Sequence, residues 1–403
     1  MAANRSGTTT TADALGYQPA LDGLRAIAIA LVVPTHWVSN ARPFLGGWIG
    51  VFIFFMLSGY LITSLLTNEY QRRRGIALRA FYQRRIARLA PALVVLLGSV
   101  VLVSALSQHA IFGQPPDVSR GAIATLTYSA NWFAALGQTP HLGPFGALWS
   151  LSVEEQFYVL WPIALIVLLR RHNREVAGRV ALGAAALLML EQVLRWTVFR
   201  SSGDIFYYGS DGEGAIFLLT GCAAALLIPR GPAFTRSKAG ETVRRYGGWA
   251  LVPLVPVATL YAFRHTMRSY DFLISVGILM CTLVLLLSAL TDSRPRRVLS
   301  TRPFVWLGRR SYSLYLWHLP VGAAVTWYEL NYAPHMNLAT HVFIAFVITM
   351  PLVELSYRYV ELPMRKRLVA RWTAAEPVDD DAVARTKNAS AAMQTATSST
   401  MPA

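Results

Sequence analysis

The sequence feature that most constrains the fold is a succession of apolar runs, several of which approach the length of a membrane-spanning helix. About 20 consecutive apolar residues are needed to cross the hydrocarbon core of a bilayer. Of the 403 residues, 54% are hydrophobic and 14% are charged, whereas soluble domains contain about 25% charged residues. The sequence therefore predicts an all-α fold, a polytopic membrane helix bundle that forms one integral domain.

Basic residues predict the orientation of these helices, because the cytoplasmic loops of membrane proteins carry an excess of Lys and Arg. Each even-numbered apolar run leads into a basic loop, so both termini are predicted to be cytoplasmic. If the segment 107–146 does not span the membrane, the basic cluster after the fourth helix falls on the cytoplasmic side. A re-entrant or interfacial position is therefore favoured for this segment. We predict about ten transmembrane helices, at Leu21–Val38, Trp48–Leu66, Leu89–Leu106, Leu151–Leu169, Val180–Phe199, Gly214–Ile228, Trp249–Phe263, Phe272–Leu290, Tyr312–Tyr328 and Ala339–Tyr359.

Composition also predicts the domain boundaries and excludes some classes of protein. Residues 1–19 and 373–403 are polar tails that we expect to be disordered, on either side of a membrane domain at 20–368. The net charge of +16 lies in alternate loops, which indicates positive-inside topology and not nucleic-acid binding. Cys222 and Cys281 lie in apolar runs without His or Cys neighbours, so they form no metal or redox motif.

The first predicted helix carries Asp22, Arg25 and His36 inside an apolar run. A charged side chain costs about 2.5–3.5 kcal/mol at the bilayer centre, so such residues are candidates for function. Arg25 and His36 share one helix face, to within about 20°, and lie about 16 Å apart along the axis. An imidazole suits proton transfer near neutral pH. The alternative is a snorkelling arginine and a histidine that hydrogen-bonds a neighbouring helix.

Two arginines, Arg85 and Arg88, precede the third predicted helix on its cytoplasmic side. They are three positions apart and therefore share a helix face. The guanidinium fork suits bidentate binding of phosphate, which makes both residues candidates for binding a phosphorylated ligand. The alternative is an ordinary positive-inside cluster, like the one that Arg72–Arg74 form.

Two adjacent carboxylates, Glu154 and Glu155, lie near the start of the fourth predicted helix. One interpretation is a helix N-terminus, where the dipole favours anions and where Ser150 or Ser152 serves as N-cap. The functional interpretation is a carboxylate that faces the polar interior and pairs with His36 or with an arginine.

Later helices carry further polar residues. Tyr312, Tyr315 and His318 follow each other at intervals of three and predict one stripe, or alternatively an aromatic interface belt with a hydrogen-bonding histidine. Glu354 and the segment Glu361–Arg365 favour a helix-end ion pair. We expect the polar residues before the sixth helix to be solvated, the alternative being an acceptor site lined by Tyr207, Tyr208, Asp211 and Glu213.

In combination these motifs resemble acyltransferase family 3, a family of integral membrane O-acyltransferases. The resemblance covers nearly the whole membrane domain, and its motifs are specific together although each is weak alone. The motifs are Leu21-Asp22-Gly23-Leu24-Arg25, ten further residues and then His36, Phe55–Leu61, Arg85 with Arg88, Ser150–Tyr158, Tyr312–His318 and Glu361–Arg365.

The resemblance implies transfer of an acyl group, acetyl or short-chain, from cytoplasmic acyl-coenzyme A to a hydroxyl group. It implies that His36 is the general base and that Glu154, in place of Glu155, holds the imidazole in the useful tautomer. Acyl-coenzyme A is then a co-substrate, and we expect no permanently bound cofactor and no metal. The donor-binding residues are predicted to be Arg25, Arg85 and Arg88. The substrate-binding residues are predicted to be Asp22, Tyr315 and His318.

The implied acceptors are sugars of surface polysaccharides, peptidoglycan or lipids, and the sugars or rings of macrolide antibiotics. We favour a macrolide or a similar sugar-bearing metabolite, acylated at a bacterial plasma membrane, with an exopolysaccharide or glycolipid as the alternative. Many glycan-modifying members carry an appended soluble domain, and the remaining tail is too short for one. Many members also have an arginine before the sixth helix, where this chain has Gly212-Glu213-Gly214.

Two other classes of protein remain open. A proton-coupled transporter or flippase would use Arg25, His36 and Glu154 as an ion path. A non-catalytic sensor or scaffold would have kept only the fold, and the intact set of polar residues speaks against it.

Overall fold

The structure, a computed structural model, describes residues 17–38, 47–107, 111–194, 212–229, 232–250, 252–253 and 271–374. Over these residues the fold is all-α, as predicted, and has no strand. Short 3-10 segments at Thr139–Leu148 and Gly247–Ala250 and a π-helical turn at Ser356–Glu361 join some of the helices. The α-helices are α1 (Pro19–Trp37), α2 (Gly47–Arg73), α3 (Leu78–Leu106), α4 (Pro115–Leu126), α5 (Ala130–Ala135), α6 (Trp149–Arg171), α7 (Arg174–Leu194), α8 (Glu213–Leu227), α9 (Pro232–Thr235), α10 (Lys238–Tyr246), α11 (Asp271–Leu290), α12 (Arg294–Leu299), α13 (Arg302–Tyr332), α14 (Leu338–Leu355) and α15 (Leu362–Ala374).

Within the described residues, 5 helical stretches are long and apolar enough to cross a membrane. These are Gly47–Arg73, Leu78–Leu106, His141–Arg171, Arg174–Leu194 and Leu338–Arg371, and two shorter apolar helices cover Glu213–Leu227 and Ser275–Leu290. The larger number expected from the sequence stays a prediction, because parts of the chain lie outside the described residues. Those parts include 195–199 of the fifth predicted helix, 254–263 of the seventh, the residues Tyr207, Tyr208 and Asp211, and most of both predicted tails.

The segment between α3 and α6 starts and ends on the same side of the bundle. α3 and α6 are antiparallel, since Tyr82 bonds to the Val159 carbonyl and Arg85 bonds to Glu155. The end of α3 and the start of α6 therefore lie on the same side. Between them, α4 has 12 residues and α5 has 6, so neither helix crosses a bilayer by itself. This agrees with the re-entrant or interfacial position expected for the segment.

Two helices begin well before the apolar runs that predicted them. α3 begins at Leu78 and not at Leu89, and α13 begins at Arg302 and not at Tyr312. The added turns are rich in arginine, which is a good helix former. The predicted boundaries followed hydropathy alone and so left out polar turns that continue the helix. As a result Arg85 and Arg88 lie on a rigid helix and not in a loop.

Close backbone approaches fix the relative directions of the central helices. α1 and α13 are parallel, because Gly308 lies against Asp22 near their starts and Gly322 lies against Trp37 near the end of α1. A Cβ atom on Gly308 would overlap the Asp22 carbonyl oxygen. α2 runs antiparallel to α1, with Gly47 packed against Thr35 at the end of α1. Small residues commonly allow such close helix contacts in membranes.

The end of the bundle at which α2 ends and α3 begins is called here the basic end, after Arg72, Arg73 and Arg74. α1 and α13 also start at this end, since both run antiparallel to α2. α6 runs parallel to α2, because Trp161 donates to Thr63 and Tyr70 donates to the Leu169 carbonyl. A position early in α1, α3 or α13, or late in α2 or α6, therefore lies near the basic end.

Candidate active site

Five helices, α1, α2, α3, α6 and α13, contribute residues to a cavity of about 130 Å³ inside the bundle. Its polar lining consists of Arg25, Ser58, Arg85, Arg88, Ser150, Glu154, Tyr158, Ser311, Tyr312 and Tyr315. Five of the predicted site residues are therefore brought to one place. The other three, Asp22, His36 and His318, are not among the lining residues of this cavity.

Asp22 holds Arg25 in position at the basic end of the cavity. Arg25 donates to one Asp22 oxygen at 2.7 Å. The other Asp22 oxygen accepts from the Tyr17 hydroxyl at 2.8 Å and lies 3.7 Å from Arg309. Because both oxygens are engaged in this way, Asp22 orients Arg25, and the substrate contact predicted for Asp22 from the sequence stays a prediction.

Arg85 is fixed in the cavity wall by two neighbours from α6. Its guanidinium bonds to Glu155 through two nitrogens, at 2.9 and 3.0 Å. The same guanidinium lies 3.1 Å from the centre of the Tyr158 ring, a cation–π arrangement. The carboxylate that pairs with an arginine is therefore Glu155 and not Glu154.

Arg88 reaches the same cavity without such a fixed partner. Among the described residues, no hydrogen bond or ion pair within 4.0 Å engages its guanidinium. It interacts electrostatically with Glu361, whose carboxylate accepts a hydrogen bond from Ser313 at 3.1 Å. The ion pair expected near this helix end forms at Glu354, which pairs with Arg310 and Arg358, whereas Glu361 makes a buried contact with α13. Arg88 is the cation of this cavity that is best placed to bind an anionic ligand.

Glu154 lies beside the arginines and not beside His36. Its carboxylate accepts from Ser58 at 3.0 Å and from the Tyr158 hydroxyl at 3.3 Å. The contact predicted between Glu154 and His36 does not occur in the part of the chain that the structure describes. The physical reason is the neighbour that each side chain faces: Glu154 is directed towards Ser58 on α2, whereas His36 contacts His318 on α13.

Tyr315 lines the cavity and also contacts a second polar site. Its hydroxyl lies 2.8 Å from Ser150 Oγ and also bonds to the Ala147 carbonyl. Its ring centroid lies 5.6 Å from that of His318. Tyr315 therefore connects the cavity with the histidines.

His36 and His318 form a contacting pair where α1 and α13 run side by side. His318 Nε2 lies 3.2 Å from His36 Nδ1, and the ring centroids are 4.9 Å apart. His318 is fully buried, and the Trp37 indole donates to its backbone carbonyl at 2.9 Å. The sequence singled out both histidines but could not pair them, because it did not show that α1 and α13 are neighbours.

Two residues of the site were missed as partners at the sequence level, Ser58 and Trp37, whereas the Glu155–Arg85 pair matches the carboxylate–arginine pairing that the sequence offered. Ser58 is the single polar residue of the Phe55–Leu61 motif, and that position was its only sequence signal. Trp37 follows His36 directly and had no signal beyond its neighbour.

Glu213 is buried, contrary to the expectation that it is solvated. Its side chain is 2% exposed. It accepts from Ser275 at 2.7 Å, and Gln192 approaches the same serine at 3.4 Å. α7, α8 and α11 therefore meet around a polar cluster, apart from the cavity described above.

The fold and the site together define a class of protein: an α-helical membrane protein with an arginine-lined internal cavity next to a pair of contacting histidines. Residues 18–358 match the family described as "Acyltransferase domain". The chain belongs to this family of acyltransferases, which confirms the resemblance seen in the motifs. Together with the apolar helices, the match shows a multi-pass protein of a bacterial membrane.

Three relatives are similar over most of this chain. A peptidoglycan O-acetyltransferase OatA of Listeria monocytogenes is 31% identical over 370 residues, covering 89% of this chain and 57% of that protein. A putative peptidoglycan O-acetyltransferase YrhL of Bacillus subtilis is 34% identical, with coverages of 87% and 55%. An O-acetyltransferase OatA of Staphylococcus aureus is 32% identical, with coverages of 87% and 58%.

The chain thus spans little more than half the length of the curated relatives that it matches. No solved structure matches it.

Proposed function

We propose that this protein transfers an acyl group, acetyl or short-chain, from acyl-coenzyme A to a hydroxyl group of a sugar-bearing acceptor. The observation that carries the proposal is Arg88. It is a guanidinium in an internal membrane cavity, without an ion-pair contact among the described residues, in a chain of the acyltransferase family.

The donor end of the reaction fits the basic end of the cavity. Coenzyme A carries several phosphate charges, and arginine binds phosphate with charge-assisted, bidentate hydrogen bonds. Arg88 supplies such donors, and Arg25, held by Asp22, adds a second oriented cation. With the nucleotide held there, the pantetheine arm extends along the cavity and brings the thioester towards Tyr315.

The chemistry that we propose is attack of an acceptor hydroxyl on the thioester carbonyl, with His36 as general base. His36 takes the hydroxyl proton as the new C–O bond forms. The C–S bond then breaks, and coenzyme A leaves as a thiolate that is protonated afterwards. General base catalysis of this kind contributes about 10²–10⁴-fold to the rate.

Glu154 remains a proposed catalytic group, with a different contact from the one expected. Glu154 lines the cavity, and Ser58 and Tyr158 donate hydrogen bonds to its carboxylate. We propose that it keeps the cavity wall polar and positions the donor arm. Of the two predicted substrate-binding residues, Tyr315 lines the cavity, and we propose that it contacts the donor arm. His318 is buried behind it, next to His36.

The acceptor that the relatives support is a peptidoglycan sugar. Two of the three relatives are named peptidoglycan O-acetyltransferases. The macrolide favoured from the sequence has no support from these relatives and is kept as an alternative acceptor, together with an exopolysaccharide or glycolipid. A transporter or flippase is the alternative of another class.

The experiment uses the full chain in lipid nanodiscs with acetyl-coenzyme A labelled in the acetyl group. We expect label transfer to peptidoglycan fragments, and little or none to a macrolide offered at the same concentration. His36→Ala should abolish the transfer and leave the melting temperature within the range of the parent protein. A folded His36→Ala protein with normal turnover would refute the mechanism. Movement of a solute across vesicles without cleavage of the thioester would favour the transporter.

A further inference from the structure

We propose that His318 is the positioning residue for His36: it accepts the hydrogen of His36 Nδ1 and so leaves the lone pair of His36 on Nε2. The inference rests on the proposed function, with His36 as general base. It assigns to a second histidine the orienting task that the sequence gave to Glu154.

The hydrogen on His318 is fixed by a backbone carbonyl. His318 Nδ1 lies 2.7 Å from the Tyr315 carbonyl oxygen. A carbonyl oxygen only accepts, so Nδ1 carries the hydrogen, and in a neutral imidazole the other nitrogen is then an acceptor. His318 is 0% exposed, and burial without a counter-charge disfavours the charged form. The nitrogen that His318 turns towards His36 is therefore an acceptor.

The hydrogen on His36 follows from two acceptors that lie beside its Nδ1. His36 Nδ1 lies 3.2 Å from His318 Nε2 and 3.2 Å from the Val32 carbonyl oxygen. Both of these atoms are acceptors, so an unprotonated Nδ1 would direct its lone pair at two other lone pairs, which is unfavourable. Nδ1 therefore carries the hydrogen and shares it between them. In neutral His36 the basic lone pair is consequently on Nε2.

The same contact becomes stronger as the reaction proceeds. When His36 takes the hydroxyl proton on Nε2 it becomes a cation, and the Nδ1–H bond to His318 becomes charge-assisted. The chain from His36 through His318 to the Tyr315 carbonyl polarises in one direction, which reinforces each bond. An interaction that is stronger in the transition state than in the ground state raises kcat and has little effect on KM.

His318 is held in place independently of His36. The Trp37 indole donates to the His318 backbone carbonyl at 2.9 Å, and Gly322, one turn further along α13, packs against the same indole. These contacts pin α13 to α1 directly beside the histidine pair. A substitution of the His318 ring therefore leaves in place the packing that sets its backbone.

Two substitutions separate the acceptor role of His318 from its bulk. His318→Phe keeps a ring and removes both nitrogens, whereas His318→Gln retains a side-chain oxygen that can accept from His36. We expect His318→Phe to lower kcat about 100-fold, at the lower end of the range for a general base, with KM for acetyl-coenzyme A changed less than about threefold. We expect His318→Gln to recover at least tenfold of the lost kcat.

The matched control is His341→Phe. His341 is also a buried histidine, and its Nδ1 lies 2.7 Å from Glu329, between α14 and the end of α13. Removing it lowers the melting temperature through a lost buried contact. Its kcat should stay within twofold of the parent, because His341 does not contact the histidine pair.

Four results decide the matter. A folded His318→Phe protein with parental kcat overturns the inference, and so does a His318→Gln protein that is as slow as His318→Phe. A change in KM alone would make His318 a substrate-binding residue. Independently of any variant, ¹⁵N NMR of histidine-labelled parent protein should show His36 protonated at Nδ1, and protonation at Nε2 overturns the inference even if His318→Phe does not fold. Activity retained by His36→Ala would instead refute the proposed function.

Discussion

Arg85 and Arg88 lie three residues apart on α3, yet their surroundings give them different tasks. Arg85 is paired with Glu155 and stacked on Tyr158, so its charge is already compensated. Arg88 lines the same cavity without an ion-pair contact among the described residues. The sequence could only present the two as an equivalent pair.

We predict that Arg88→Ala weakens donor binding and leaves the fold intact. Loss of a hydrogen bond to a charged group costs about 1.5–3 kcal/mol, so KM for acetyl-coenzyme A should rise about 10–100-fold. Steady-state kinetics at varied donor concentration and a melting curve would measure both effects. The control is Arg84→Ala on the same helix: the Arg84 side chain is 48% exposed and 3.7 Å from Glu69, so its KM should stay within twofold. A normal KM for Arg88→Ala would contradict the assignment.

Arg85→Ala should destabilise the protein. Removing one partner of a buried ion pair leaves the other charge uncompensated, at a cost of about 3 kcal/mol or more. Here Glu155 would be left in the cavity wall. Thermal unfolding in detergent should show a lower midpoint for Arg85→Ala than for Arg88→Ala. Equal midpoints would mean that the pair does not hold α3 to α6. The double variant Arg85→Met with Glu155→Leu should regain stability, because no charge is then left unpaired.

At this scale the sequence was informative about which residues matter and less so about their contacts. Hydropathy alone marks Arg25, His36 and Glu154 as unusual in a membrane, because a polar group there needs a reason. Contacts between residues hundreds of positions apart, such as His36 with His318, depend on which helices are neighbours. One sequence carries no signal for that, and the partner of His36 was accordingly misassigned to Glu154.

Among the elements, the α1–α13 pair is the one that brings the site together. It carries Arg25 and His36 on one helix and Tyr315 and His318 on the other, and it depends on a close approach at Gly308. Helix boundaries drawn by hydropathy left Gly308 outside the ninth predicted helix, since its surroundings are polar. The contact between Gly308 and Asp22, which sets the register of the two helices, therefore lies in a helical turn that hydropathy does not detect.

We predict that Gly308→Ala lowers both stability and activity. The new Cβ atom would overlap the Asp22 carbonyl oxygen, so α13 must move away from α1, and such overpacking costs about 1–3 kcal/mol. Gly98→Ala on α3 is the control, because nothing lies within 4 Å of a Cβ atom there and alanine favours a helix over glycine. Melting temperature and acetyl transfer should fall for Gly308→Ala and hold for Gly98→Ala. Equal behaviour of the two would show that the α1–α13 approach tolerates more space.

For the whole molecule, the direction of the helices gives the proposed reaction a direction along the bundle. Arg25 lies six residues after the start of α1 and His36 one residue before its end, so the cations of the cavity lie towards the basic end and the histidine pair lies outside the cavity, towards the other end. The loop after α2 and the loop after α13 lie at opposite ends of the bundle. If the basic end is cytoplasmic, as basic loops predict, the donor approaches from the cytoplasm and the acceptor from the opposite side.

Single cysteines placed at the end of α2 and in the loop after α13 test the direction. Arg73 and His335 are both exposed, and the native Cys222 and Cys281 would first be replaced by alanine. We predict that a membrane-impermeant maleimide labels Arg73→Cys only in inside-out vesicles and His335→Cys only in right-side-out vesicles. Labelling of both from one side would contradict the packing of α2 against α1 and α13. The reverse result, with Arg73→Cys labelled only in right-side-out vesicles and His335→Cys only in inside-out vesicles, would agree with the packing and contradict the orientation. It would also rule out that acyl-coenzyme A reaches Arg88 from the cytoplasm.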